Sequence, residues 1–364
     1  MDAREIERQF YVPQEGVGDL LQGACSFSEQ GATINGAIFS ISGNIADTIR
    51  TLKKRVSDRA KLRFGDKEPY IVTAPFSSSH RGRSIDIDAK FFFWQDSVDQ
   101  VVYLLSCHQR DAFTSGVSRL RDYAVSRIGR VFLRTGEMRK MLREIDESHP
   151  GASVRIREYV ARGLIDDPDS EKRVETDRIW TDEEYRSVFT RLSDENKWVS
   201  ALTVELRGSV QARGRLWNDG SFSCHENFEA FHGIIVKRFK ETVVSNREFF
   251  QNRGRSESPT GKSRPLVIAY EENVFSDNQE NYRLSSVLED LPESALSVFH
   301  PNPYFHASLI DYADGSSYEI WVTSPTEILV VPKKRATLES LERVCNHVCE
   351  DFEEGTIREP EAHG

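Results

Sequence analysis

Two kinds of spacing alternate along the chain: apolar residues every second position, and apolar residues three and four apart. Together they predict a mixed succession of strands and helices. Gly31 to Ser42 alternates and carries β-branched residues, which predicts a strand. Gly43-Asn44 then opens a helix over Ile45 to Phe64, with Ile45, Ile49, Leu52 and Val56 on one face. Strands are expected at Tyr70 to Pro75 and Ser84 to Trp94, whereas the short apolar run Ser97 to Cys107 fits either a strand or a buried helix. A helix over Asp111 to Arg127, a short strand over Arg130 to Leu133 and a helix over Gly136 to Glu147 follow. His149-Pro150-Gly151 ends the last of these.

The second half holds two similar runs. Trp198 to Arg207, Val210 to Trp217 and Ser221 to His225 read as three strands, with Asn218-Asp219-Gly220 as a hairpin turn, and a helix is expected from Asn227 to about Phe250. Phe305 to Tyr312, Ser317 to Thr323 and Glu327 to Val331 repeat the pattern, with a helix over Thr337 to Phe352. Two βββα units are thus a candidate duplication packing into one sheet. Thr181 followed by Asp182, Glu183 and Glu184 carries the hydroxyl and carboxylates of a helix start. The fold class expected is α+β, with a mixed α/β N-terminal domain over 1–165 and an acidic linker over 166–180. An antiparallel sheet with helices over 181–355 follows, with an internal linker at 253–264 and a frayed tail at 356–364.

Composition narrows the classes. In 364 residues, 38% are hydrophobic and 29% charged, which excludes a collagen or a disordered tail protein, and no apolar run is long enough to cross a bilayer. The charged start MDAREIERQF lacks a secretory signal, and five irregularly spaced cysteines do not form a disulfide framework, so a cytoplasmic location is expected. The net charge of -10 is uneven: residues 271–364 hold 19 acidic and 6 basic side chains, so the rest of the chain is mildly basic.

Three motifs invite a chemical reading. On a strand, Asp86, Asp88 and Lys90 share a face, and two carboxylates beside a lysine suit a divalent ion and a phosphate. Asp88-Ala89-Lys90 resembles the D-x-K half of the PD-(D/E)xK nuclease motif. That resemblance implies Asp86 and Asp88 as ligands of Mg²⁺ or Mn²⁺ and Lys90 as the electrostatic group. It covers about twenty residues, the strand at Tyr70 to Pro75 lacks the acidic partner, and Gln100 and Tyr103 stand one residue too close for the pattern's Q-x-x-x-Y. The solvated face of a half-buried strand would alternate in the same way. Cys345, His347 and Cys349 suggest zinc, but at about 100° per residue the two cysteines share a helix face and His347 points away. His306-Ala307-Ser308 matches one half of a two-histidine phosphoesterase and has no second half. Phosphate-binding glycine loops and the G-x-S-x-G elbow are absent.

Clustered cations remain. Residues 50–63 carry seven cations against one acid, 119–143 eight against two, and 237–264 eight against three. Arginine forks hold phosphate oxygens bidentately, so these segments suit nucleic acid, although solvated helix faces carry similar charge. The candidate contacts are Arg50, Lys53, Lys54, Arg81 and Arg83 in the first stretch of the chain, Arg127, Arg130, Arg134 and Arg139 in the middle, and Arg253 and Arg255 near the internal linker. The expected function is a nucleic-acid-associated protein, or a subunit of a nucleic-acid-acting assembly. A metal-dependent nuclease built on Asp86, Asp88 and Lys90 is one alternative; a protein-interaction subunit with an acidic C-terminal face is the other. No cofactor is expected beyond Mg²⁺ or Mn²⁺ in the nuclease alternative, and no membrane partner.

Overall fold

The computed structural model describes residues 9–361 apart from 13, 56–60, 81–82, 97, 125–126, 130, 166–172, 252, 254–263 and 334. Side chains at 55, 78–80, 83–85, 123, 164–165 and 173–174 are also outside the description. Contacts divide the chain into two units, 1–124 with 133–244, and 125–132 with 245–364. Both units are built on antiparallel sheets with helices packed against them, an α+β architecture. No helix among the described residues is long and apolar enough to cross a membrane.

The chain begins with α1 (Val17–Glu29), β1 (Ile34–Ile41), α2 (Ile45–Arg55), β2 (Arg63–Phe64), β3 (Tyr70–His80), β4 (Arg83–Asp96), β5 (Val101–Ser106) and α3 (Arg110–Tyr123). After β6 (Ile128–Gly129), which belongs to the second unit, come α4 (Thr135–Ser148), β7 (Ala152–Ile165), β8 (Arg173–Glu184), α5 (Tyr185–Asp194), β9 (Lys197–Gly208), β10 (Ala212–Trp217) and β11 (Ser221–Glu226). A turn of helix at Phe228–Ala230 and a π-helix at Phe231–Val236 lead into α6 (Lys237–Phe250).

The larger sheet runs β2-β3-β4-β5-β1-β11-β10-β9-β7-β8, and every pairing along it is antiparallel. β1 and β5 are buried at every position, as central strands covered on both faces must be, and their sequences INGAIFSI and VVYLLS carry no charge. Two glycines make room for aromatic rings on the face away from α3. A Cβ on Gly36 would sit 2.1 Å from the Phe222 ring, and one on Gly214 would sit 2.3 Å from the Phe231 ring. On the opposite face α3 covers β3 and β4, with Phe113 edge-on to Phe91 and Gly116 against the same ring.

The register extends that face across the sheet. Phe93 lies opposite Leu104, Leu104 opposite Ala37 and Ala37 opposite Ser221, so the face that α3 covers over β3 and β4 continues onto β11, β10, β9, β7 and β8. On β10 this face is polar: Ala212, Gly214 and Leu216 point into the core while Arg213, Arg215 and Trp217 alternate outward.

The second unit holds β12 (Leu266–Ala269), α7 (Asn278–Glu289), β13 (Ser294–His300), β14 (His306–Asp311), β15 (Ser316–Ser324), β16 (Glu327–Pro332), α8 (Leu338–Asp351) and β17 (Thr356–Arg358). Its sheet runs β13-β14-β15-β16-β12-β17, and Leu309, Tyr318, Ile320 and Val330 meet Leu341, Val344, Cys345 and Val348 in its core. Asp277 caps α7 by accepting from the Gln279 and Glu280 amides, and Thr337 caps α8 by accepting from Ser340.

Several expectations met a different structure. Residues 173–184, assigned to the linker and to a helix start, extend β8, because pairing with β7 along its length outweighs the local cap signal at Thr181. Thr356–Arg358, assigned to the tail, pairs with β12. The two βββ meanders lie in different sheets rather than one, β9 to β11 in the larger and β14 to β16 in the smaller.

Candidate functional site

The face of the larger sheet that α3 partly covers holds a cavity of about 920 Å³, within the range of small-molecule sites. One cross-strand row runs to it and lines it from Asn35 onward. Ser106 on β5 lies opposite Asn35 on β1, Asn35 opposite Ser223 on β11, Ser223 opposite Arg215 on β10, Arg215 opposite Thr203 on β9, Thr203 opposite Glu158 on β7, and Glu158 opposite Trp180 on β8. Seven strands therefore contribute one polar or aromatic side chain each to a single line.

At the β5 end the row is a closed hydrogen-bond network. Asn35 Nδ2 donates to the His108 carbonyl at 2.7 Å, while Asn35 Oδ1 accepts from the Ser223 hydroxyl. Tyr11 donates to the Lys90 carbonyl at 2.7 Å, accepts from the Cys107 amide at 3.1 Å, and stacks its ring on His108 with centroids 5.2 Å apart. Burial pushes the Tyr11 hydroxyl well above its ordinary range, so it stays a neutral donor. These contacts fix the turn 107–109 and hence where α3 begins.

That turn delivers Arg110, the first residue of α3, onto the cavity. Its guanidinium lies 3.7 Å from the centre of the Trp217 ring, and Arg215 approaches the same ring at 5.1 Å. Arg110 Nη2 donates to Ser221 Oγ at 2.7 Å, and Ser221 in turn donates to Asp219. Burial lowers the Arg110 pKa, with Arg215 adding to that and Asp219 opposing it. Arg110 Nη1 and Arg215 Nε are buried with no hydrogen-bond partner among the described residues.

Farther along the row, Glu158 is only 4% exposed and accepts from Arg215 Nη1 at 2.8 Å and from Arg178 Nε. Arg178 lies 4.8 Å from the centre of the Trp180 ring, and Trp180 is 70% exposed on the edge strand. Arg157 pairs with Asp182 at 2.7 Å and Arg213 with Glu226 at 2.6 Å. Asp182 is held down at about 2 by its hydrogen bond to Arg155 and then by Arg157. Burial, followed by Arg213 and Arg215, lowers the pKa of His225 and favours its neutral form at pH 7.

Two β-bulges put consecutive residues on the same side. On β7 the register shifts between Ile156 and Glu158, which brings both Arg157 and Glu158 to the cavity. On β10 and β11 it shifts between Arg213 and Gly214, beside His225.

Neither a protein-family model nor a curated protein matches this chain. The site therefore stands on its own geometry.

Among the described residues, none of the cations singled out along the sequence lines this cavity. Arg50 is exposed and pairs with Asp47 at 2.9 Å, Lys53 pairs with Asp66 at 3.1 Å, and Lys54, Arg127 and Arg139 are exposed. Arg134 pairs with Glu137. Arg253 is buried in the second unit, where it pairs with Glu359 and donates to the Phe249 carbonyl. Arg81, Arg130 and Arg255, and the side chain of Arg83, lie outside the described residues.

Asp86 and Asp88 are exposed on β4, and Asp88 pairs with Arg63. Lys90 is half-buried, its Nζ 6.0 Å from the Tyr11 ring. Among the described residues no three His, Cys, Asp or Glu side chains stand close enough to hold a metal ion. His347 Nδ1 lies 2.8 Å from Asp351, and its Nε2 lies 2.7 Å from the Val287 carbonyl oxygen. Cys345 and Cys349 are core residues, and His306 stacks on Trp321.

The arginines that do converge were missed because they come one or two at a time from separate strands. The alternation of Arg213, Arg215 and Trp217 with small or apolar residues is a signal in the sequence that marks two of them.

Proposed function

We propose that the first unit binds phosphate groups of nucleic acid or its nucleotides in the cavity on the larger sheet. The observation that carries this reading is the approach of the Arg110 and Arg215 guanidiniums to one ring, Trp217, with one N–H of each buried and unpartnered among the described residues. A buried polar group without a partner costs free energy, and an anionic oxygen accepting from both would remove that cost. Phosphate supplies such oxygens, and the aromatic rings offer flat surfaces to bases. The reading replaces scattered surface cations with a convergent set, and it is one of binding, with no reaction assigned.

The test is fluorescence anisotropy of short single- and double-stranded DNA and RNA across a salt series. Affinity should fall linearly in log salt, with a slope that counts the phosphates neutralised. Arg215→Ala should weaken binding by about tenfold or more, in line with loss of a charged hydrogen bond, whereas Arg50→Ala and Lys54→Ala should leave it nearly unchanged. Absence of binding at low salt, or equal binding by Arg215→Ala, would overturn the assignment.

A further inference from the structure

Resting on that reading, three observations bear on which kind of phosphate the cavity would take. The first is charge. Arg213 pairs with Glu226, and Arg157 pairs with Glu205 and with Asp182, which Arg155 and Arg207 also contact, while Arg178 and Arg215 share the single carboxylate of Glu158. Arg110 reaches Asp219 only through the Ser221 hydroxyl. The middle of the row therefore holds more guanidinium charge than directly paired carboxylate. A phosphodiester brings one negative charge, whereas a terminal monoester brings about 1.5 to 2 and a third oxygen to accept hydrogen bonds.

The second observation is the shape of the face. Residues of β8, β7, β9, β10 and β11 line the cavity, while α3 covers the same face over β3 and β4 and brings Arg110 to the cavity from its first turn. A strand of nucleic acid lying along the cavity would meet the start of α3 at Arg110. The start of α3 has no side-chain cap, so its first amides face that same end.

The third is Trp180. It stands at the opposite end of the row from α3, largely exposed and in register with Glu158. Three strand spacings separate its backbone from that of Arg215, roughly 14 Å, and Arg215 spans part of that distance by reaching Glu158. Trp180 lines the same cavity as Arg110 and Arg215 and offers an exposed ring to the base adjoining a phosphate held there.

We propose that the cavity recognises a terminal phosphomonoester, seated between Arg110 and Arg215, with the adjoining base stacked on Trp180. A nucleoside monophosphate and the phosphorylated end of a nucleic-acid strand share this chemistry.

The experiment uses the full chain and internally labelled single strands carrying a phosphate at the 5′ end, at the 3′ end or at neither. Nucleoside monophosphate, nucleoside and inorganic phosphate serve as competitors. At least one phosphorylated end should bind about tenfold more tightly than the unphosphorylated strand, as extra charged hydrogen bonds require. Arg110→Lys, which keeps the charge and removes the fork, should shrink that preference, and its thermal unfolding will show that it folds. Trp180→Ala should weaken the monophosphate by about tenfold, a typical stacking loss, and leave inorganic phosphate unchanged. Competition by the monophosphate as strong as by the strand assigns the free nucleotide; competition by the phosphorylated strand alone assigns the strand end. Equal affinity for phosphorylated and unphosphorylated strands, still sensitive to Arg215→Ala, would overturn end recognition and leave phosphate binding standing. No binding of any probe would overturn both.

Discussion

Glu158→Gln separates the electrostatics of the cavity from its packing. The wild-type carboxylate is 4% exposed and bridges Arg215 and Arg178. Removing one partner of a fully buried ion pair costs about 3–5 kcal/mol, but two features lower that figure here. The Arg178 side chain is 55% exposed and keeps its water when the pair is lost, and glutamine retains an oxygen for Arg215. The stranded charge is then chiefly Arg215, whose side chain is 16% exposed. A loss of about 2 kcal/mol follows, the lower part of the range for a buried charged hydrogen bond. In a unit of this size that is roughly 4–8 °C in Tm.

The same change leaves two guanidiniums without their shared anion, so added phosphate should bind more tightly and restore stability. At a hundred times Kd the gain is about 2.7 kcal/mol, enough to cancel the loss. Calorimetric unfolding of wild type and Glu158→Gln, with and without phosphate at constant ionic strength, measures both terms. A variant as stable as wild type, or an equal phosphate shift in the two proteins, would refute the reasoning.

Three further outcomes are expected. Burial, with a smaller contribution from Lys240, lowers His232 to about 4 against an ordinary 6.5; the unfolded chain therefore protonates first, and stability intact above pH 6.5 is lost as pH falls toward 4. The loss is about 3 kcal/mol, and His232→Phe should flatten Tm over that window, whereas an unchanged slope would assign the acid sensitivity elsewhere. Gly214→Ala would place a methyl 2.3 Å from the Phe231 ring and 2.5 Å from the Ser223 carbonyl oxygen, so urea unfolding should show a loss of about 3 kcal/mol; a loss under 1 kcal/mol would mean that the layers separate easily. Asp88→Ala removes an exposed pair with Arg63 and should change stability by less than about 1 kcal/mol; nucleic-acid binding should persist, and loss of a Mn²⁺-dependent cleavage activity would instead revive the nuclease alternative.

Much of the local structure was legible in the chain. The meander from β9 to β11, the turn at Asn218-Asp219-Gly220 and the apolar stripe of α8 all follow from period and turn chemistry, which act over a few residues. β7 and β8 were not legible. Their cavity-side positions carry Arg155, Glu158 and Arg178, so over a short window the polarity resembles that of a linker, and only pairing along their length makes them strands. The site was harder still. Counting cations along the chain favours helix faces such as α2 and α4, where charge is solvated. The cavity draws Arg110, Arg157, Arg178, Arg213 and Arg215 from α3, β7, β8 and β10, and the bulge at Arg157 reverses which residues face it. Convergence across strands is set by register, which a linear pattern does not contain.

The polar row across the larger sheet also has a kinetic meaning. Asn35 and Ser223 bond across 188 residues of sequence, and Arg215 meets Glu158 across 57. Contacts of such separation carry a high loop-closure cost and tend to slow folding. A nascent or partly assembled chain holds Arg213, Arg215 and Trp217 in their hairpin but has neither Arg110 nor Glu158 beside them. A ligand seated as proposed would find all its partners only once the order β5-β1-β11-β10-β9-β7-β8 is complete, and would then stabilise the finished sheet rather than its precursors.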